Sequence, residues 1–378
     1  MRIAILYNFT ISRSTGTSER VLQIANELEN LGAQVTISGA VDKRERTSNL
    51  TDLRIIVMPN KILKLPLVGA WIAQVVASAL THRYDVVQIE SFSNLRALAL
   101  FILLHPFSKK LVIVFHDKYF EHDPRESIAG RLNLALQRIL LILFDASITP
   151  GLSVKNWFAE LHGQLANKIS VIPNGAPDFS VKKHVDLANL RRKYGLDSGV
   201  FIALFFGAMT FKPNHDAALY LYRVSEQVSY RFEIVTGKRL IFAVAGIGSE
   251  TLPKAHSYVP LGFVNQLDEL LALPDAIVFP HLPSYSGPHV KTIYAFLSEK
   301  PVVASNDAVK DMPCIVPGEH FLPFDIEKPD TLTDSLTELF LNEELAQRLV
   351  SNAQLYSETF SWKHIASLHL RLFQKLMS

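Results

Sequence analysis

A chain of 378 residues, 48% hydrophobic and 20% charged, is too long for one ordinary core and too apolar for a disordered protein. The net charge of +2 argues against nucleic acid as the main partner, and the single cysteine, Cys314, excludes an internal disulfide or a cysteine-cluster metal site and favours a reducing compartment. Two domains of roughly 150–200 residues each are expected.

Arg2–Phe9 reads as an apolar strand. It opens the chain without the charged n-region and apolar run of a leader, so a cytoplasmic protein is expected. Val21, Ile24, Ala25, Leu28 and Leu31 then share one face of a helix that Gly32 would terminate, and AQVTISG is the next strand. Thr17 or Ser18 can cap that helix, with Glu19 at the same end of its dipole. Residues 42–54 are polar and read as a loop. Ile62–Leu80 is mostly apolar, but Lys64, Pro66 and Gln74 interrupt it, which suits a buried or interfacial helix rather than a spanning one.

YDVVQIE, ending at Glu90, is the next strand, followed by a helix over Arg96–Leu104 and the strand KLVIVF over Lys110–Phe115. His116 and Asp117 come directly after it, at the carboxyl edge where open α/β sheets bind ligands. His122 and Asp123 stand close by, but nothing else in the spacing completes a metal site, and none is expected. Gly130–Phe144 combines Arg131 and Arg138 with a broad apolar surface. It reads either as a core helix or as an amphipathic helix lying on a bilayer, and the need to cover both faces of a parallel sheet favours burial. Residues 1–180 hold nineteen Lys and Arg against fifteen Asp and Glu, an asymmetry that would suit an anionic membrane surface but is ordinary in size.

The strand DASITP, a helix over Ser153–Leu161 and the strand KISVIPNG follow, and Pro173, Asn174, Gly175 and Pro177 stiffen a turn where two domains would meet. The second half starts with a short helix, LANLRRKYGL, and the strand VFIALFFG. Its next loop carries Asn214 and Asp216, which can cap the following helix. LIFAVAG and the turn IGSE, then DAIVFP, are further strand ends. Ser284–Ser305 packs a turn, a helix with Val290, Ile293, Tyr294 and Leu297 on one face, and the strand PVVAS into one span. Gly287 allows close backbone approach and Pro288 suits a first helical position, so the helix start would offer unpaired N–H groups to a phosphate. Helices over Asp330–Leu341, Glu343–Glu358 and Trp362–Met377 close the chain.

These motifs, in this order and over nearly the whole chain, resemble the retaining GT-B glycosyltransferases of family 4. Thr15-Gly16-Thr17-Ser18-Glu19-Arg20-Val21 is similar to the family's "GAERV"-like helix start. Val171-Ile172-Pro173-Asn174-Gly175 is similar to its "VIPNG" interdomain junction, Gly207 to Asp216 to its "GxM…PNxDA" phosphate loop, and Leu261-Gly262-Phe263-Val264 to its "lGfv" segment. The resemblance implies an α/β protein of two Rossmann-like, doubly wound domains in a GT-B arrangement. Residues 1–177 would bind the acceptor and 178–360 the nucleotide-sugar donor, with a C-terminal helix over 361–378 crossing back to the first domain.

It further implies His116 as the residue that positions the donor sugar, and Gly16 and Thr17 on the acceptor side. Gly207, Lys212, Gly246, Val264, Ser286, Gly287, Pro288, His289, Lys291 and Tyr294 would bind the donor and its phosphates. The family places two Glu residues eight positions apart in this region, and here Ser286 and Tyr294 occupy those positions. The implied reaction moves a sugar from a nucleotide sugar to an acceptor hydroxyl, on a glycan or lipid-linked glycan, with retention and with neither cofactor nor metal. Peripheral contact with the inner face of a membrane is left open. The missing Glu pair supports the alternative, a GT-B-shaped subunit that binds a nucleotide or glycan without transfer.

Overall fold

The computed structural model describes residues 1–11, 16–41, 54–58, 76–78, 80–81, 83–90, 93–116, 125–176, 186–196, 199–283 and 290–378. The chain divides into two compact units, Met1–Gly175 with Trp362–Ser378, and Ala176–Ser361.

The first unit alternates strand and helix: β1 (Arg2–Ile11), α1 (Gly16–Asn30), β2 (Gln34–Val41), β3 (Arg54–Met58), β4 (Tyr84–Glu90), α2 (Asn94–Leu104), β5 (Ser108–Val114), α3 (Ile128–Leu143), β6 (Ala146–Thr149), α4 (Leu152–His162) and β7 (Ile169–Val171). Its strands form a seven-stranded parallel sheet in the order β3-β2-β1-β4-β5-β6-β7. The alternation of side chains along β1 separates two cores. Ile3, Ile5 and Tyr7 pack with α1, while Ala4 and Leu6 pack with α2, α3 and α4 on the other face.

The second unit contains α5 (Leu187–Lys193), β8 (Phe201–Phe206), α6 (Lys212–Thr236), β9 (Leu240–Ala245), β10 (Tyr258–Gly262), α7 (Leu267–Ala272), β11 (Ala276–Phe279), α8 (Val290–Phe296), β12 (Val302–Ser305), α9 (Asn306–Val309), β13 (Leu322–Phe324), α10 (Pro329–Leu341) and α11 (Glu343–Ser357). Six parallel strands run in the order β10-β9-β8-β11-β12-β13. FIALFF and LIFAVA are buried at every position, as strands covered on both faces must be. The last helix, α12 (Trp362–Met377), returns to the first unit, where Trp362, Ile365, Ala366 and Phe373 join the core on the α1 face.

Several local expectations are corrected. Helix α1 begins at Gly16, so Thr17 and Ser18 stand inside its first turn rather than before it. Helix α6 begins at Lys212, with Pro213 in its first turn, so Asn214 and Asp216 are helical rather than capping residues. The loop read over 42–54 gives way to a strand at its last residue, where the apolar run after Arg54 forms β3. Helix α3 buries only the side carrying Gly130, Gln137, Leu140 and Leu141; Ile128, Leu132, Ile139 and Ile142 are exposed, against the expectation of a core helix. Most of the span Ile62–Leu80 lies outside the described residues. Among the described residues, no helix is long and apolar enough to cross a membrane.

Candidate active site

Each sheet reverses its strand order once, between β1 and β4 in the first unit and between β8 and β11 in the second. The carboxyl ends of strands at such a reversal flank a crevice where open α/β sheets take ligands. In both units an unusual buried charge lies at these strand ends.

In the first unit the charge is Glu90, the last residue of β4, whose side chain is fully buried. His116, two residues beyond β5, donates from Nε2 to Glu90 Oε2 at 2.6 Å. The other carboxylate oxygen, Oε1, accepts from Gln88 Nε2. Gln88 Oε1 in turn accepts from His369 Nδ1 of α12 at 3.1 Å, and His369 Nε2 accepts from the Arg20 guanidinium of α1 at 3.4 Å. The directions are mutually consistent: a guanidinium can only donate, so His369 must carry its proton on Nδ1. Burial, then the nearby Arg20, holds His369 down at about 3, so it is neutral.

Burial alone would raise Glu90, but the hydrogen bond and charge of His116, with the charge of Arg20, bring it down to about 2. Arg20 is almost wholly buried and also donates to Pro173 O and Asn174 Oδ1, each at 2.9 Å. Two stretches that stand far apart in the chain, the α1 start and the Pro173-Asn174 junction, thus meet on one guanidinium. Gly175 is fixed by close packing, since a Cβ there would lie 2.4 Å from the Trp362 ring.

In the second unit the charge is Lys291 of α8. Its Nζ lies 4.6 Å from the centroid of the Phe205 ring on β8 and 5.7 Å from that of Phe279 on β11, over the two strands that flank the reversal. It donates to Asn214 Oδ1, while Asn214 Nδ2 donates to Ala208 O at 3.0 Å, which fixes the amide's orientation. Among the described residues no carboxylate pairs with Lys291, and burial pushes its amine down to about 7. Lys212, by contrast, is exposed and pairs with Asp216 at 2.6 Å one turn along α6.

Two glycines of this region leave no room for a side chain. Gly207 follows β8, and a Cβ on it would lie 2.7 Å from Asn214 Nδ2. A Cβ on Gly246, after β9, would lie 1.9 Å from Gly207 O. Val264 follows β10 with its side chain in the core, and Tyr294 is half-buried against that core. Gly16 and Thr17 open α1. Ser286, Gly287, Pro288 and His289, with Asp117, His122 and Asp123, lie outside the described residues. Among the described residues no three His, Cys, Asp or Glu side chains group as metal ligands would.

Glu90, Gln88, Arg20 and His369 were not singled out as functional by the sequence reading. A signal existed for two of them, since Gln88 and Glu90 are polar alternate residues at the carboxyl end of a strand whose centre is apolar. Arg20 and His369 give no such signal, because only the fold brings α12 against α1.

Two doubly wound parallel units, each with a charged side chain at its strand reversal, make an α/β protein with the fold of GT-B glycosyltransferases. Residues 14–178 match the model of Glycosyltransferase Family 4. A glycosyltransferase from Rickettsia africae is similar over 100% of this chain and 98% of its own, with a TM-score of 0.77 at 16% identity. Anabaena HepE, solved in complex with UDP, is similar over 99% of this chain and 100% of its own, with a TM-score of 0.71 at 19% identity. Sucrose-phosphate synthase from Thermosynechococcus elongatus is similar over 100% of this chain and 99% of its own, with a TM-score of 0.69 at 14% identity. No curated protein sequence matches the chain.

Proposed function

We propose that the chain is a glycosyltransferase that moves a sugar from a nucleotide-sugar donor, bound by the second unit, to an acceptor hydroxyl of a glycan or lipid-linked glycan, bound by the first, with retention. The observation that carries this reading is Lys291: a buried amine with no carboxylate partner among the described residues, at the strand reversal of a sheet whose structural relatives include one solved with UDP. A desolvated cation is destabilised until an anion arrives, so the site favours a diphosphate over water. In the transfer step the bond from the anomeric carbon to the diphosphate oxygen breaks as a bond to the acceptor oxygen forms, the acceptor's hydroxyl proton passes to the leaving diphosphate, and the charge that develops there is met by Lys291 and Lys212. His116, held by Glu90, positions the donor sugar. The reaction is proposed without a metal or cofactor, and the protein as cytoplasmic.

A second reading, a subunit that binds the nucleotide without transfer, is favoured by Ser286 and Tyr294, which supply no carboxylate where the resembling family has two. Thermal shift with nucleoside diphosphates and nucleotide sugars on wild type, Lys212→Ala and Lys291→Met tests the donor site. A selective shift lost in Lys291→Met supports it, and no shift at millimolar nucleotide sinks it. Sugar transfer to a glycan acceptor then separates the two readings, because a binding subunit shifts without product.

A further inference from the structure

Two side chains of opposite charge lie buried in the first unit and do not meet. Arg20 is 1% exposed and Glu90 0%, yet among the described residues no hydrogen bond or ion pair joins them. Opposite charges away from water attract far more strongly than in it, and a guanidinium and a carboxylate pair through two parallel bonds where they can. Something holds these two apart.

What stands between them is neutral. The acceptors that Arg20 reaches are the carbonyls of Ile172 and Pro173, Asn174 Oδ1 and His369 Nε2, none of them charged. His369 donates onward from Nδ1 to Gln88 Oε1, and Gln88 donates from Nε2 to Glu90 Oε1. Both are wholly buried. Because a guanidinium only donates and a carboxylate only accepts, the two ends of this row leave each atom between them one role. Glu90 Oε2 is thereby left to His116 Nε2, and the His116 ring is the member that opens to solvent at the strand ends.

We infer that His369 and Gln88 are positioning residues, a neutral spacer that keeps Arg20 off Glu90 and so reserves the carboxylate for His116. A row that served only to satisfy buried Arg20 would be complete with any neutral acceptor on α12; it would not need His369 to donate onward. With the spacer broken, the guanidinium turns to the carboxylate and takes both of its oxygens, and His116 loses its acceptor. Helix α12, which joins the first unit only at the end of the chain, thus acts on the strand-end site through two side chains. The inference rests on His116 as the residue that positions the donor sugar, but the hold on His116 is read without donor, acceptor or turnover.

The test is nitrogen and proton NMR of the full chain with labelled histidine, the signals assigned through His116→Gln and His369→Gln. Wild type should show two imidazole protons protected from exchange with water, on His116 Nε2 and on His369 Nδ1. His369→Ala, which opens space beside Arg20, should lose the His116 signal, because a ring partly open to solvent exchanges once Glu90 is drawn away. Gln88→Leu should do the same, and serves if His369→Ala fails to fold. His369→Gln keeps an acceptor for Arg20 and a donor for Gln88, so the His116 signal should survive in it. In a transfer assay the two disruptive variants should lower kcat at least about tenfold, and His369→Gln should keep it. A His116 signal that persists in folded His369→Ala or Gln88→Leu overturns the inference. So does its loss in His369→Gln, or a His369 proton on Nε2 in wild type. The expected His116 pattern in a wild type that transfers no sugar would support the spacer and count against the proposed function alone.

Discussion

Glu90 Oε2 and His116 Nε2 lie 2.6 Å apart at the carboxyl ends of neighbouring strands, with the carboxylate fully buried and the imidazole partly open to solvent. Because a carboxylate only accepts, the His116 proton at this contact sits on Nε2, and Nδ1 is the ring atom left for a ligand. Glu90→Gln replaces that acceptor with an amide that can also donate. Nitrogen NMR of labelled histidine should therefore show His116 as the Nε2–H tautomer or imidazolium in wild type and a mixture in the variant. The variant should also lose about 2–4 kcal/mol of stability, because buried Arg20 loses its nearest countercharge. An unchanged His116 spectrum would remove Glu90 from any positioning role.

The same cluster sets the acid stability of the first unit. Glu90 is held at about 2 against an ordinary 4.5, so the unfolded chain takes up its proton first, and the stability this confers above pH 4.5 is lost as pH falls from there toward 2. His369 is held at about 3 against 6.5, so it is neutral when folded and protonates first when unfolded; its contribution is lost from pH 6.5 downward. Both effects have one sign. Thermal melts should show stability falling below pH 6.5 and more steeply below 4.5. His369→Gln should make that decline shallower from pH 6.5 down to about 3 while leaving the steepening below 4.5 that Glu90 causes, and an identical profile in the variant would show that His369 does not titrate on unfolding.

Lys291 makes the opposite kind of prediction. Its amine is held at about 7 against 10.5, so it lowers stability near neutral pH, where the unfolded chain is fully protonated and the folded site is not. Lys291→Met should raise the stability of the second unit by about 1–3 kcal/mol at pH 7 while weakening nucleoside diphosphate binding at least about tenfold. Wild-type binding should take up a proton and weaken as pH rises above 7, which calorimetry in buffers of different ionisation enthalpy reads directly. Proton-neutral binding at pH 8 would place the phosphates elsewhere.

How much of this was legible in the sequence depends on the range of the interaction. The parallel strands declared themselves as apolar runs such as FIALFF and LIFAVA, and helices such as α1 through their periodicity. His116 and Lys291 were legible as chemistry at strand and helix ends. The roles of the two lysines were not, because burial decides them: Lys212 and Lys291 look alike as letters, yet one bridges to Asp216 on the surface and the other sits over Phe205. Asn214 looked like a helix cap because residue type favours caps, whereas the fold uses it to hold Lys291. The exposed side of α3 was hidden for a related reason, since periodicity marks an apolar face without saying what covers it.

Gly246 and Gly248 stand two residues apart in one turn, and both have positive φ, +130° and +85°. They should nevertheless differ sharply. Gly246→Ala drives a Cβ to 1.9 Å from Gly207 O, a backbone atom that cannot rotate away, whereas the nearest atom to a Cβ on Gly248 is Met209 Cβ at 3.4 Å. The first substitution should cost about 3 kcal/mol or more and displace the loop beside Lys291, and the second about 1 kcal/mol from backbone strain. Denaturant midpoints that fall equally for both would show that φ, not the close approach, fixes Gly246.

The last helix supplies the final prediction. Helix α12 gives the first unit Trp362, Ile365, Ala366 and Phe373 for its core and His369 for its buried polar chain, so its removal does two kinds of damage at once. The apolar side chains leave a gap over α1, and Gln88 and Arg20 each lose a hydrogen-bond partner away from water. Ending the chain at Ser361 should therefore cost the first unit on the order of 5 kcal/mol or more, enough to unfold an ordinary domain. The second unit has its own core, from Ala176 to Phe360, and should remain folded. Amide hydrogen exchange separates the two: protection should vanish along β1 and β4 and persist along β8 and β9. Retained protection on β4 in the shortened chain would mean that α12 packs on a unit already stable without it.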